Sequence, residues 1–237
     1  MRVQHNKPQA NLSTTISSTD PVKGVIHHCH ILDSSGSMMG KKYNSAKAGI
    51  MKDIEIVKQQ AISFPNITNT MTIIEFSGSL NINYHCYKVP IEKLTNINFR
   101  LIGNMTALYQ TLGECIEKFI IDRESTDKVL IKVLTDGGEN GSVGKYAEIH
   151  RHCPNLATLI KKVSNEGFTI TFVGTDSDTK SIIANLNIDA SNTLVHNNTG
   201  KGVEDSYTKT VGATQMFMRS MSAGEDVSKG FYTKIVN

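Results

Sequence analysis

Ile31-Leu32-Asp33-Ser34-Ser35-Gly36-Ser37-Met38 is the stretch on which the reading of this chain turns. Two apolar residues run into an aspartate, and two hydroxyls spaced by two follow with a glycine between them. That order ends a buried strand in a tight loop whose oxygens converge. Oxygen donors suit a hard divalent cation, and Gly36 allows the sharp turn that convergence needs. The plainer reading of Ser35 and Ser37 is a capped turn before a helix. Immediately upstream, residues 24–32 predict a strand with an unusual centre, His27-His28-Cys29-His30. Central parallel strands are normally aliphatic on both faces. Alternation sends His28 and His30 to one face, and His27 and Cys29 to the other.

Downstream, Tyr43, Ile50, Ile54, Val57, Ala61 and Phe64 recur at helical spacing and Pro65 stops the run, which predicts a helix over 41–63. Strands are expected at 71–76 and 80–87. The few residues between them permit a hairpin but no parallel crossover. The second strand alternates, with Leu80, Ile82, Tyr84 and Cys86 on one side, as at a half-exposed antiparallel edge. A helix carrying Leu108, Leu112, Cys115, Ile116, Phe119 and Ile120 leads to a buried strand at 129–134. A helix at 154–166 closed by Gly167, a strand at 168–173, a short helix at 178–186, a weak strand at 193–196 and a helix at 203–221 follow. Phe231 and Tyr232 are apolar enough to tuck back onto the body.

This order predicts an α/β fold: a doubly wound, Rossmann-like, mainly parallel six-stranded sheet with one antiparallel edge strand and helices on both faces. Strands 24–32 and 129–134 would be neighbours at the point where strand order reverses, and ligands bind there, at the carboxyl ends of strands. Both run into an aspartate, Asp33 and Asp136. Residues 1–22 are polar and aperiodic and are expected to form a flexible arm. Residues 23–222 would be the domain and 223–237 a tail.

Composition narrows the classes. With 39% hydrophobic and 20% charged residues, the 237-residue chain suits a globular α/β domain. A net charge of +3 argues against nucleic acid as a partner. Neither a membrane-spanning run nor a signal-peptide core is visible. The four cysteines lack CxxC spacing and read as free thiols of a reducing compartment, hence a cytoplasmic setting.

Asp33, Ser35 and Ser37, then Thr106 in Gly103-Asn104-Met105-Thr106-Ala107-Leu108-Tyr109, then Asp136 in Leu134-Thr135-Asp136-Gly137 resemble the metal-ion-dependent adhesion site (MIDAS) of von Willebrand factor A (VWA) domains. Three separated motifs fall in the expected order, over roughly residues 24–200. The resemblance implies that Ser35, Ser37 and Thr106 bind Mg²⁺ (or Mn²⁺) directly, while Asp33 and Asp136 act through bound water. It implies a protein partner whose Asp or Glu carboxylate completes the coordination, and binding rather than catalysis. One departure stands out: the family's third loop has a glycine beside the threonine or one residue earlier, and here Gly103 lies three residues before Thr106. Thr111 is the nearby competitor, and periodicity places it inside the helix. Thr106 could also serve as a helix N-cap.

Other motifs weigh less. Consecutive strand residues diverge, so His27, His28, Cys29 and His30 cannot chelate one zinc ion; neutral, hydrogen-bonded core imidazoles are the expectation. Gly36-x-x-x-Gly40-Lys41-Lys42 is one residue short of a phosphate loop and lacks its hydroxyl. The preferred reading is a stand-alone intracellular binding module of a bacterial or phage type, working in a multiprotein assembly. The alternatives are a structural subunit, such as a virion component, contacting partners through its arms, and a metal-assisted hydrolase.

Overall fold

A computed structural model of the chain describes residues 23–100, 103–150, 152–225 and 227–233. The arm at 1–22 lies outside them, as does the end of the tail. The strands are β1 (Gly24–Asp33), β2 (Ile67–Phe76), β3 (Ile82–Pro90), β4 (Lys128–Leu134), β5 (Phe168–Gly174) and β6 (Thr193–Val195). They form one six-stranded sheet in the order β3-β2-β1-β4-β5-β6. Only the edge strand β3 is antiparallel, to β2; the other pairings are parallel. The doubly wound α/β sheet is therefore as expected, with β1 and β4 adjacent at the reversal of strand order.

The helices are α1 (Lys41–Ser63), α2 (Leu108–Asp122), α3 (Pro154–Val163), α4 (Asp176–Leu186) and α5 (Gly200–Ser222). Ile31, Phe76, Val133 and Phe172 face α2, α3 and α4 on one side of the sheet. Leu32, Ile73, Leu134 and Val173 face α1 and α5 on the other. The two outer helices meet closely at Gly49, where a Cβ would lie 2.1 Å from the Tyr207 ring. Phe231 is buried and packs on Phe217 at 6.1 Å between ring centroids, so this part of the tail does fold back.

Four local expectations change. β2 starts at Ile67 rather than 71, because Thr68, Asn69 and Thr70 already pair with Val25, Ile26 and His27 of β1. Leu80 belongs to the hairpin turn, and it is 96% exposed. The alternation of β3 also breaks at an irregularity in the β2–β3 register. Ile82 and Tyr84 therefore pack on the α2 side, whereas Cys86 packs on the α1 side. α3 ends at Val163, and the chain turns through Ser164 to a left-handed Gly167 (φ 88°) before β5.

The histidines of β1 split as alternation requires. His27 bonds to Thr70 Oγ1 at 2.8 Å and Asp127 at 3.0 Å, and stacks on Phe119. On the other face, His28 donates to Asn69 Oδ1 at 3.0 Å and His30 Nε2 meets Asp53 Oδ2 at 2.9 Å. Lys132 of β4 donates to the same Asp53 oxygen. Burial pushes the carboxyl of Asp53 up, but Lys132 and His30 outweigh it and hold the group well below its usual range. All three imidazoles are held below their usual pKa by burial, His28 down to about 3. An ion pair between α1 and β4, and histidines along β1, thus occupy positions where a central parallel strand would ordinarily bury aliphatic residues.

Candidate metal centre

The five side chains singled out in the sequence come together at the carboxyl ends of β1 and β4. Asp33 closes β1 and is fully buried. Its Oδ1 accepts the Ser35 backbone N–H at 2.7 Å, which bends the loop back over the strand end. Its Oδ2 accepts the Thr135 hydroxyl. Ser34 anchors the same loop to β2, with both its N–H and Oγ donating to the Phe76 carbonyl. The hydroxyls of Ser35 and Ser37 then face each other at 3.0 Å. Ser37 donates to Asp136 Oδ1 at 2.7 Å, which links the β1 loop to the β4 loop.

Thr106 enters from the loop before α2. Its N–H donates to Asn140 Oδ1 at 2.7 Å, and its carbonyl accepts the N–H groups of Asn140 and Gly141. A Cβ placed on Gly137 would lie 3.4 Å from Ser37 Oγ and 3.5 Å from Thr106 Oγ1. The two hydroxyls therefore border the small space that this glycine leaves free. Thr106 is not a cap: the N-cap of α2 is Ala107, with no side-chain bond. Thr111 directs its hydroxyl to the Ala107 carbonyl inside the helix, away from the site. Ser35 likewise precedes the 3-10 turn Gly36–Met38 without capping it.

The displaced glycine finds its explanation in packing. Gly103 bridges to Ser35, and a Cβ there would come within 2.7 Å of Ser77 Oγ. Glycine is needed where the third loop crosses between the β1 loop and the β2–β3 hairpin, not beside the threonine. Glu139 braces the other side by accepting the N–H groups of Tyr109, Gly141 and Ser142.

Burial raises the Asp33 carboxyl to about 6, against the pull of the Thr135 and Ser35 hydrogen bonds and with Asp136 adding repulsion. The donor set of carboxylate and hydroxyl oxygens fits a hard, oxygen-seeking cation. Ser37 is exposed, so the cluster opens to solvent on that side. The His/Cys/Asp/Glu grouping that a zinc-type site would need does not occur among the described residues.

Two contributors were missed in the sequence. Thr135 holds Asp33, and Lys42 of α1 donates to Asp136 Oδ2 and, at 2.9 Å, to Asn198 Oδ1. Lys42 carried a signal. The first turn of α1 holds lysines and no acid, although a helix N-terminus favours negative charge.

No family model matches the sequence, and no curated protein does. Solved structures match it over most of its length. The pilus adhesin SpaC of Lactobacillus rhamnosus GG, in its open conformation, aligns with a TM-score of 0.58 at 12% identity, over 83% of this chain and 30% of that one. The ArnB paralog VWA2 of Sulfolobus acidocaldarius aligns with a TM-score of 0.54 at 20% identity, over 81% of this chain and 46% of that one. The chain has the VWA fold. At such identities the likeness establishes the fold alone. The VWA body here spans less than half of each of those chains. Proximal thread matrix protein 1 of the mussel byssus aligns at 0.50 with 15% identity, over 80% of this chain and 46% of that one.

Proposed function

We propose that this VWA domain is a metal-dependent protein-binding module. Mg²⁺ (or Mn²⁺) would be held by the Ser35, Ser37 and Thr106 hydroxyls directly and by Asp33 and Asp136 through water. When bound, the cation supplies an open position for a partner's Asp or Glu carboxylate. The observation that carries this reading is a cluster drawn from three separate loops: the Ser37 and Thr106 hydroxyls border the space beside Gly137, Ser35 and Asp136 are bonded to Ser37, and Asp33 holds the Ser35 backbone. Direct ligands that are neutral leave the cation's charge available to an acidic partner. Thr135 fixes Asp33, the kind of support that orients metal ligands.

Several observations favour binding over turnover. Both Asp33 oxygens accept protein hydrogen bonds, and both Asp136 oxygens are engaged by Ser37 and Lys42. Each carboxylate is thereby fixed in place by the protein, as suits a group that orients a metal's ligands and waters. The surrounding loops instead offer a contact surface. Met39, Leu80, Met105 and Val143 are all about half exposed or more. They lie on the β1–α1 loop, the β2–β3 turn, the loop before α2 and the β4–α3 loop. Hydrogen bonds from Ala107 to Ser77 and from Asn140 to Thr106 tie three of these loops into one rim. Specificity is assigned to this rim, residues 38–43, 77–80, 105–109 and 138–147.

The candidate partner class is a protein presenting a carboxylate, in the setting of a larger assembly. No helix among the described residues is long and apolar enough to cross a membrane. The test is capture of partners by wild type and by Asp33→Ala, each with Mg²⁺ and with EDTA. Capture that needs both the metal and Asp33 supports the reading. Capture that survives EDTA and the substitution overturns it and favours contacts through the chain's ends.

A further inference from the structure

We infer that Lys42 is a tethered counter-cation that competes with the metal for Asp136 and thereby sets the metal affinity of the site. The inference rests on the metal-binding reading above.

The geometry is specific. Lys42 Nζ meets Asp136 Oδ2 while Ser37 meets Oδ1, so the ammonium and the hydroxyl share one carboxylate. The Asp136 side chain has no exposure and that of Lys42 is 17% exposed. Ion pairs on open surface contribute little, but this carboxylate is desolvated and depends on its partners. The lysine also sits where helix chemistry disfavours it, in the first turn of α1 with no acidic neighbour there. Local rules broken in this way mark functional positions.

Two cations beside one carboxylate repel each other, each favouring the carboxylate's charge but not the other's presence. A divalent ion coordinated at Ser35, Ser37 and Thr106 and held by Asp136 therefore works against the ammonium. Lysine can yield: its charge is compact, its stem is flexible, and its head already reaches the solvent edge. Its second partner, Asn198 Oδ1 in the β6–α5 loop, would be released in the same movement. Metal uptake at the loop of β1 is thus exchanged for a contact that ties down the loop before α5. Without the competing charge, the same oxygen ligands hold the cation more tightly.

The test is calorimetric titration of the full chain with Mg²⁺ and with Mn²⁺, comparing wild type, Lys42→Met and Lys42→Arg. Lys42→Met keeps the stem and removes the charge. It should bind metal roughly tenfold more tightly, equivalent to about 1.4 kcal/mol, and Lys42→Arg should bind no more tightly than wild type. A Tm series over metal concentration gives a second readout. The metal-induced rise should be larger in Lys42→Met, even if that variant is weakened in EDTA by its unpaired Asp136. Equal or weaker affinity in Lys42→Met, with wild type still binding, overturns the role of Lys42 and leaves the metal reading standing. Failure of wild type and Lys42→Met alike to bind either ion overturns both.

Discussion

Replacing His28 with glutamine should flatten the acid dependence of stability by an amount that the structure sets. His28 has no solvent exposure. Asn69 donates its own amide to Ile67 O, which leaves Oδ1 to accept from His28 Nε2; the buried imidazole Nδ1 has no partner among the described residues. Lys132, Asp53 and His30 face it from β4, α1 and β1. Burial and Lys132 hold its pKa down to about 3 from an ordinary 6.5, against the pull of Asn69 and Asp53. A depressed histidine pKa means that the unfolded chain binds the proton first. Stability from this group is complete above the unfolded value and is lost as pH falls through it. Integrating the proton difference from about pH 7.5 to about pH 5 gives a loss of about 2 kcal/mol for this one group. Asp33 acts with the opposite sign. Its folded pKa is raised to about 6, so its protonation favours the folded state between that value and the unfolded 3.8. It is present in both proteins and cancels from the difference, as does His27. Glutamine can keep the donor to Asn69. The assay is urea unfolding in EDTA at both pH values. The wild type should lose about 2 kcal/mol more than His28→Gln between them. Parallel losses would refute the neutral, buried imidazole.

Further outcomes follow from neighbouring contacts. Lys132→Met leaves Asp53 buried with His30 alone and should cost about 3–5 kcal/mol in urea unfolding, whereas Lys132→Met with Asp53→Leu should recover most of it; an equal loss in the double variant would contradict the pairing. Gly49→Ala drives a methyl into Tyr207 where α1 and α5 meet, and should cost about 1–3 kcal/mol as a lowered Tm; an unchanged Tm would show that the helices part freely. Thr135→Val removes the hydroxyl that holds Asp33 Oδ2 and should weaken Mn²⁺ binding roughly 10–100-fold with the fold intact by circular dichroism. Unchanged affinity would remove Thr135 from the site.

Much of this was legible from the sequence, for identifiable reasons. α1 was visible residue for residue because its apolar stripe is long and Pro65 ends it. The adjacency of β1 and β4 followed from strand order, and Asp33 and Asp136 fall at strand ends where only two loops can meet. The start of β2 was hidden because Thr68, Asn69 and Thr70 look like a loop. Their polarity serves the histidines opposite, as in the Asn69–His28 and Thr70–His27 bonds. The β3 irregularity leaves no mark in an alternating string. Lys42 and Thr135 escaped notice because reach across space is not a spacing in sequence: Lys42 meets a residue 94 positions away and Thr135 one 102 positions away. The histidine-rich strand made sense only once α1 and β4 supplied Asp53 and Lys132.

The most direct test of the central claim is the stoichiometry of Mn²⁺ binding in wild type, Ser37→Ala and Asp33→Ala, read by calorimetry on metal-stripped protein. One ion per wild-type chain, with affinity reduced at least about tenfold in each variant and folding retained, is the result expected when these oxygens hold the cation. Undiminished binding in both variants, or none in the wild type, would contradict it.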